Sequence, residues 1–160
     1  MDSQRVHYLD ASALVKLAVK ETGTEVIEKY MAAEDKSAFY TTSLSFAEAL
    51  GGLKSIYSHK EIDQETYTKA GDLLKGYIGD RIELVDVDIS ESEIFWDVEK
   101  TMKLYGLDIV DAYQIVTFKK DLFSRVSESQ PILVTADSGL AEAGRKEGLK
   151  VWDCLKERAP

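Results

Sequence analysis

The chain has 160 residues, 44% hydrophobic and 31% charged, the size and make-up of one soluble globular domain. Its 20 basic against 29 acidic residues leave a formal charge of −9. That argues against holding nucleic acid by bulk positive charge, while leaving room for an enzyme that reaches phosphate through a metal or for a protein with a basic partner. No apolar run approaches the roughly 20 residues of a membrane span. The start, Met1-Asp2-Ser3-Gln4-Arg5, lacks the layout of a secretory leader, and the lone Cys154 allows no internal disulfide. A cytoplasmic protein of one domain, residues 1–160, without membrane attachment is expected.

In chain order, Val6–Leu9 is a short apolar run that reads as a strand, and Ser12–Lys20 carries Leu14, Leu17 and Ala18 at helical spacing. Thr24–Ala33 repeats the helical pattern after Gly23, and Ala38–Thr41 reads as a second strand. A helix is predicted from Phe46 to about Tyr57, starting after Ser45, and another from the cap Asp63 to about Tyr77 with Gly79 as its stop. The two would form a helical hairpin around Ser58–Ile62. Ile82–Val87 is a third strand. Ser90–Leu104 is helical with Ile94, Phe95, Val98 and Met102 on one face, Gly106 breaks it, and Ile109–Phe123 is the next helix. Ser127–Pro131 reads as a polar linker, Ile132–Thr135 as a strand, Leu140–Lys146 as a helix and Leu149–Trp152 as a final strand. Strands separated by helices point to an α/β fold of three layers, α/β/α, around a mainly parallel sheet of about five strands.

Four acids, Asp10, Glu48, Asp111 and Asp137, stand just after an apolar run or near a helix start. A parallel sheet would gather such positions into one crevice beyond the carboxyl ends of its strands. Like charges there repel; at about 5 Å and an effective dielectric near 20, each pair costs roughly 3 kcal/mol. A hard divalent cation would relieve that cost.

Each acid also reads as a helix cap. Asp10 precedes Ser12, Ser45-Phe46-Ala47-Glu48 has the spacing of a capping box, Asp108 and Asp111 repeat that spacing, and Asp137 precedes Leu140. Serine, threonine and asparagine cap as well as aspartate, so an acid at every strand exit favours a shared site. Ser12 and Thr135 accompany the acids and could orient a carboxylate.

Tyr8-Leu9-Asp10-Ala11-Ser12, Ser45-Phe46-Ala47-Glu48, Asp111-Ala112 and Val134-Thr135-Ala136-Asp137, in that order, resemble the PIN domain, and within it the VapC-type toxins of bacterial and archaeal toxin–antitoxin pairs. The resemblance implies that Asp10, Glu48, Asp111 and Asp137 are both the metal ligands and the catalytic residues. Asp108 is a cap first and an auxiliary ligand second, with Ser12 and Thr135 in support. It further implies hydrolysis of single-stranded RNA, a cognate antitoxin and a homodimer.

Oxygen-only ligation suits Mg²⁺, with Mn²⁺ as the other candidate. His7 and His59 read as structural or exposed. Lys16, Lys20 and Lys54 could line a phosphate groove but read more simply as surface lysines, and Tyr8, Tyr40 and Tyr113 more simply as core than as base-stacking rings. The alternatives are a PIN nuclease of RNA processing outside any toxin system and a degenerate PIN fold kept for binding. A receiver-like domain fits poorly, because Asp10 is followed by alanine and the last strand by Asp153 rather than a lysine.

Overall fold

The computed structural model describes residues 5–34, 37–124 and 131–160. Among them the elements run β1 (Val6–Leu9), α1 (Ala11–Ala18), α2 (Thr24–Ala33), β2 (Ala38–Thr41), α3 (Ser43–Ser58), α4 (Gln64–Asp80), β3 (Ile82–Leu84), α5 (Ser92–Tyr105), α6 (Ile109–Ser124), β4 (Ile132–Thr135), α7 (Ser138–Lys146) and β5 (Lys150–Asp153). The strands form one sheet in the order β3-β2-β1-β4-β5, and every pairing in it is parallel. No helix among the described residues is long and apolar enough to cross a membrane.

Alternate residues of each strand serve opposite layers. Leu9, Phe39, Ile132, Val134 and Trp152 face a core with Leu14 and Leu17 of α1, Ile27 of α2, Leu53 of α3 and Leu74 of α4. Tyr8, Tyr40 and Leu133 face the other side, with Ile115 and Phe118 of α6 and Leu140 of α7. Burial on both faces is what a parallel sheet with helical crossovers demands, and it yields the expected three layers. The order also sets a switch point. β2 and β3 extend from one side of β1, whereas the chain returns to place β4 on its other side. Crossovers diverge there, at the carboxyl ends of β1 and β4, the place where open α/β sheets generally bind ligands.

Several boundaries differ from expectation. Helix α3 begins at Ser43, capped by Thr42, whose Oγ1 accepts the Ser45 amide at 3.0 Å. Ser45 is thus a buried residue inside the helix, and the Ser45–Glu48 capping box does not form, because the first amides already have an acceptor one turn earlier. Strand β3 stops at Leu84, where exposed Glu83 and Leu84 mark an edge with no second neighbour to prolong it. Helix α5 buries Ile94, Val98 and Thr101 and leaves Phe95 49% exposed, so Phe95 lies outside the expected face. Helix α4 follows its Asp63 cap and loses helical geometry at Ile78 and Gly79, where φ is +90°. Of the Ser127–Pro131 linker, all but Pro131 falls outside the described residues.

Candidate functional site

Asp10 is the first residue beyond β1, at the switch point. It is 2% exposed, and its carboxylate is held from three directions. Oδ1 accepts the Ala13 amide at 2.8 Å, capping α1. Ser12 Oγ donates to the same carboxylate, 2.8 Å from either oxygen, and Thr135 Oγ1 donates to Oδ2 at 2.6 Å. Each hydroxyl also accepts a backbone amide, Ser12 from Ala136 and Thr135 from Asp137, both at 2.9 Å. The turns after β1 and β4 are therefore stitched together around one buried carboxylate.

The other acids border this point from separate elements. Asp137 caps α7, taking the Leu140 amide on Oδ1 at 2.9 Å. Asp108 takes the Asp111 amide at 3.0 Å at the start of α6, which leaves the half-buried Asp111 without that capping duty. Glu48 is exposed on α3 and has no capping role, since the helix starts at Ser43.

Burial is the largest force on three of these groups, and the other acids add to it. Desolvation lifts Asp10 to about 6 against the pull of its three hydrogen bonds, with Asp137 pushing further up. Asp111 rises to about 7 through desolvation and the charges of Asp108, Asp10, Asp137 and Glu48. Glu48 is raised by desolvation, then by Asp108, Asp10 and Asp137. Asp10, Glu48 and Asp111 are thus each raised by burial and by other acids around them. They do not form a closed ligand group: among the described residues, no three His, Cys, Asp or Glu side chains converge as one. Mutual repulsion favours such spacing when nothing positive lies between the oxygens. The donor set suits a hard cation, being oxygen throughout.

Three supporting residues escaped the sequence reading. Gln114 Nε2 and Thr41 Oγ1 both donate to the Leu9 carbonyl, at 2.9 and 2.7 Å, and so pin the strand end that presents Asp10. The only hint was a polar residue in the apolar face of α6. Asp86 accepts the Ser43 amide and hydroxyl at 3.0 Å and the Tyr113 hydroxyl at 3.1 Å, tying β3's exit to α3 and α6.

Other expectations resolve locally. Lys16 is neither a groove cation nor a solvated one: it is 7% exposed and paired with Glu21 at 2.8 Å, because its helix packs that face inward. Lys20 is exposed, and the Lys54 ammonium lies over the stacked rings of Tyr57 and Tyr67. Tyr8, Tyr40 and Tyr113 are buried core. His7 is buried, bonded to Tyr30 at 2.8 Å and lowered to about 4 chiefly by desolvation. His59 folds back on the Ser55 carbonyl of its own helix.

A family model described as PIN domain matches residues 7–146. No curated protein matches the chain significantly. Among solved structures, PAE2754 from Pyrobaculum aerophilum is 21% identical, with a TM-score of 0.61 over 92% of this chain and 91% of that one. A chain of FitAB bound to the IR36 DNA fragment is 14% identical, with a TM-score of 0.61 over 96% and 98%. A chain of VapBC2 from Rickettsia felis, bound to a DNA fragment from its promoter, is 12% identical, with a TM-score of 0.57 over 92% and 97%. At these identities the likeness is one of fold.

Proposed function

The chain belongs to the PIN domain family, and from that membership we propose that it is a Mg²⁺- or Mn²⁺-dependent endoribonuclease acting on single-stranded RNA, the toxin of a toxin–antitoxin pair. One observation carries the catalytic half of this reading. Asp10, Glu48 and Asp111, from three elements near the switch point of the sheet, are raised first by burial and then by neighbouring carboxylates, Asp108 and Asp137 among them.

Asp10 and Asp137 would hold the metal directly. Glu48 and Asp111 would complete the ligand shell or take a proton from water, with Asp108 in an auxiliary place. A bound cation supplies positive charge to the scissile phosphate and makes water a better nucleophile. The protein's own contribution is orientation. Ser12 and Thr135 fix the Asp10 carboxylate, and the Leu9 carbonyl contacts of Gln114 and Thr41 fix the backbone behind it. No nucleophilic side chain is required.

The partner half rests on the neighbours. FitAB and VapBC2 were each seen on DNA. A chain of charge −9 would need a second protein to supply the cations for such contact. We read that protein as an antitoxin, placing a basic side chain over the acidic crevice, and we read the toxin itself as a cytoplasmic homodimer. Cleavage of a mixed RNA pool tests the catalytic reading. Wild type should cut only when Mg²⁺ or Mn²⁺ is present, chelator should stop it, and Asp10→Asn should abolish it. Equal cleavage by the variant, or indifference to chelator, would overturn the assignment.

A further inference from the structure

Strands β4 and β5 end level with one another, Thr135 beside Asp153, and the Cys154 amide extends the ladder by donating to the Thr135 carbonyl at 2.9 Å. The chain that leaves β5 therefore emerges at the end of the sheet that carries Asp10 and Asp137. It turns at once and is held there. Asp153 Oδ1 accepts the Leu155 amide at 3.1 Å, and the Asp153 carbonyl accepts the amides of Lys156 and Glu157 at 3.1 and 2.9 Å. Glu157 closes the turn: Oε2 accepts the Asp153 amide at 3.1 Å, and Oε1 accepts from the Arg145 guanidinium of α7 at 2.5 Å. Held in this way, Lys156 donates from Nζ to Ser138 Oγ at 2.5 Å, at the first residue of α7 and directly after Asp137.

Nothing in the turn itself calls for an ammonium. Its closure belongs to Asp153, Glu157 and Arg145, and both Lys156 and Ser138 are exposed to water. The charge on Lys156 is also unmatched. Lys69, Lys75, Lys103 and Lys146 each lie 2.5 to 2.8 Å from a carboxylate oxygen, whereas Lys156 meets a hydroxyl and, among the described residues, no carboxylate. An ammonium has three protons to donate, so two remain after the bond to Ser138. Lys16 and Lys54 are already engaged, one with Glu21 and the other over the rings of Tyr57 and Tyr67.

We propose that Lys156 binds a backbone phosphate of the RNA strand, flanking the phosphate that is cut. A strand approaching a chain of charge −9 is repelled by it, and a fixed cation beside Asp137 gives the backbone a point of attraction where it passes the acids. The contact carries no preference for a base; it sets where the strand lies. The proposal rests on the ribonuclease reading above and adds a residue that holds the substrate.

Steady-state cleavage of a labelled, mixed-sequence single-stranded RNA pool at fixed Mg²⁺ tests it. Lys156→Ala should raise KM about three- to tenfold, the scale of one such contact. It should leave kcat within about twofold, as a loss of ground-state binding does. Plotted as log KM against log monovalent salt, the variant should be shallower than wild type by about 0.7 in slope. Lys156→Arg should keep most of the affinity and the steeper slope, and Glu157→Ala, which frees the turn, should resemble Lys156→Ala. In thermal melts without RNA, Mg²⁺ should stabilise Lys156→Ala as well as wild type, because the acids are undisturbed. Unchanged KM and salt slope in Lys156→Ala would overturn the phosphate contact and leave the nuclease standing. A fall in kcat or in Mg²⁺ stabilisation with KM intact would overturn it too, assigning Lys156 to the setting of Asp137. A wild type that cuts no RNA in the pool would overturn the nuclease reading and the contact with it.

Discussion

Thr135 shows how much of the setting of Asp10 depends on a single hydroxyl. It is fully buried, donates to Asp10 and accepts the Asp137 amide. Thr135→Val keeps the shape and leaves two buried polar groups short of a partner. Urea unfolding at neutral pH should show a loss of about 1–3 kcal/mol, largely recovered in Thr135→Ser. An unchanged midpoint would mean that the hydroxyl is not holding the carboxylate.

Protonation acts at the same scale. Asp111 is raised to about 7 and Asp10 to about 6 in the folded protein, whereas both titrate near 4 when unfolded. The folded state therefore keeps protons that the unfolded chain has released, and the stability this confers is lost as pH rises through the folded values. His7, lowered to about 4, works against this below its ordinary value of about 6.5, so the cleaner window lies above it. Chelated protein should lose thermal stability between about pH 6.5 and 8, and Asp111→Asn should lose that slope. A wild-type profile that is flat or rises there would contradict a raised Asp111, which burial chiefly causes.

At the level of elements, α7 separates capping from charge. Asp137 takes the Leu140 amide, a role that serine fills equally well. Asp137→Ser should stay within about 0.5 kcal/mol of wild type in metal-free unfolding yet lose most of the stabilisation by Mg²⁺ or Mn²⁺. An intact metal response would reduce Asp137 to a cap. The same helix lies close on the sheet: a Cβ at Gly144 would stand 3.0 Å from Leu133 Cδ2 and 3.1 Å from Val151 Cγ2. Gly144→Val should cost about 1–3 kcal/mol of stability by overpacking, read as a lower denaturation midpoint. No change in that midpoint would show that α7 can lift off β4 and β5 at little cost.

For the whole molecule, the expected metal response is a matter of mass action. A cation bound only by the folded state at a hundred times its Kd should add about 2.7 kcal/mol. Differential scanning calorimetry should show the melting temperature rising with Mg²⁺ or Mn²⁺ in wild type and scarcely moving in Asp10→Asn. Equal shifts in both would point to cations bound elsewhere on an acidic surface.

Much of the architecture could be read before any coordinates. β1, α2, β2 and β4 lie where apolar runs and turn residues put them, because those signals are local and strong. Asp10 and Asp137 likewise stand where the sequence puts them, directly after β1 and between β4 and α7. Tertiary structure decided the rest. It moved the α3 cap to Thr42, turned Lys16 inward onto Glu21, exposed Trp96 and joined Gln114 and Thr41 to the carbonyl before Asp10. The Thr42 cap and the Lys16–Glu21 pair are local but depend on where each helix begins and which face it buries, whereas the Gln114 and Thr41 bonds span 105 and 32 residues and leave no periodicity in the chain that makes them.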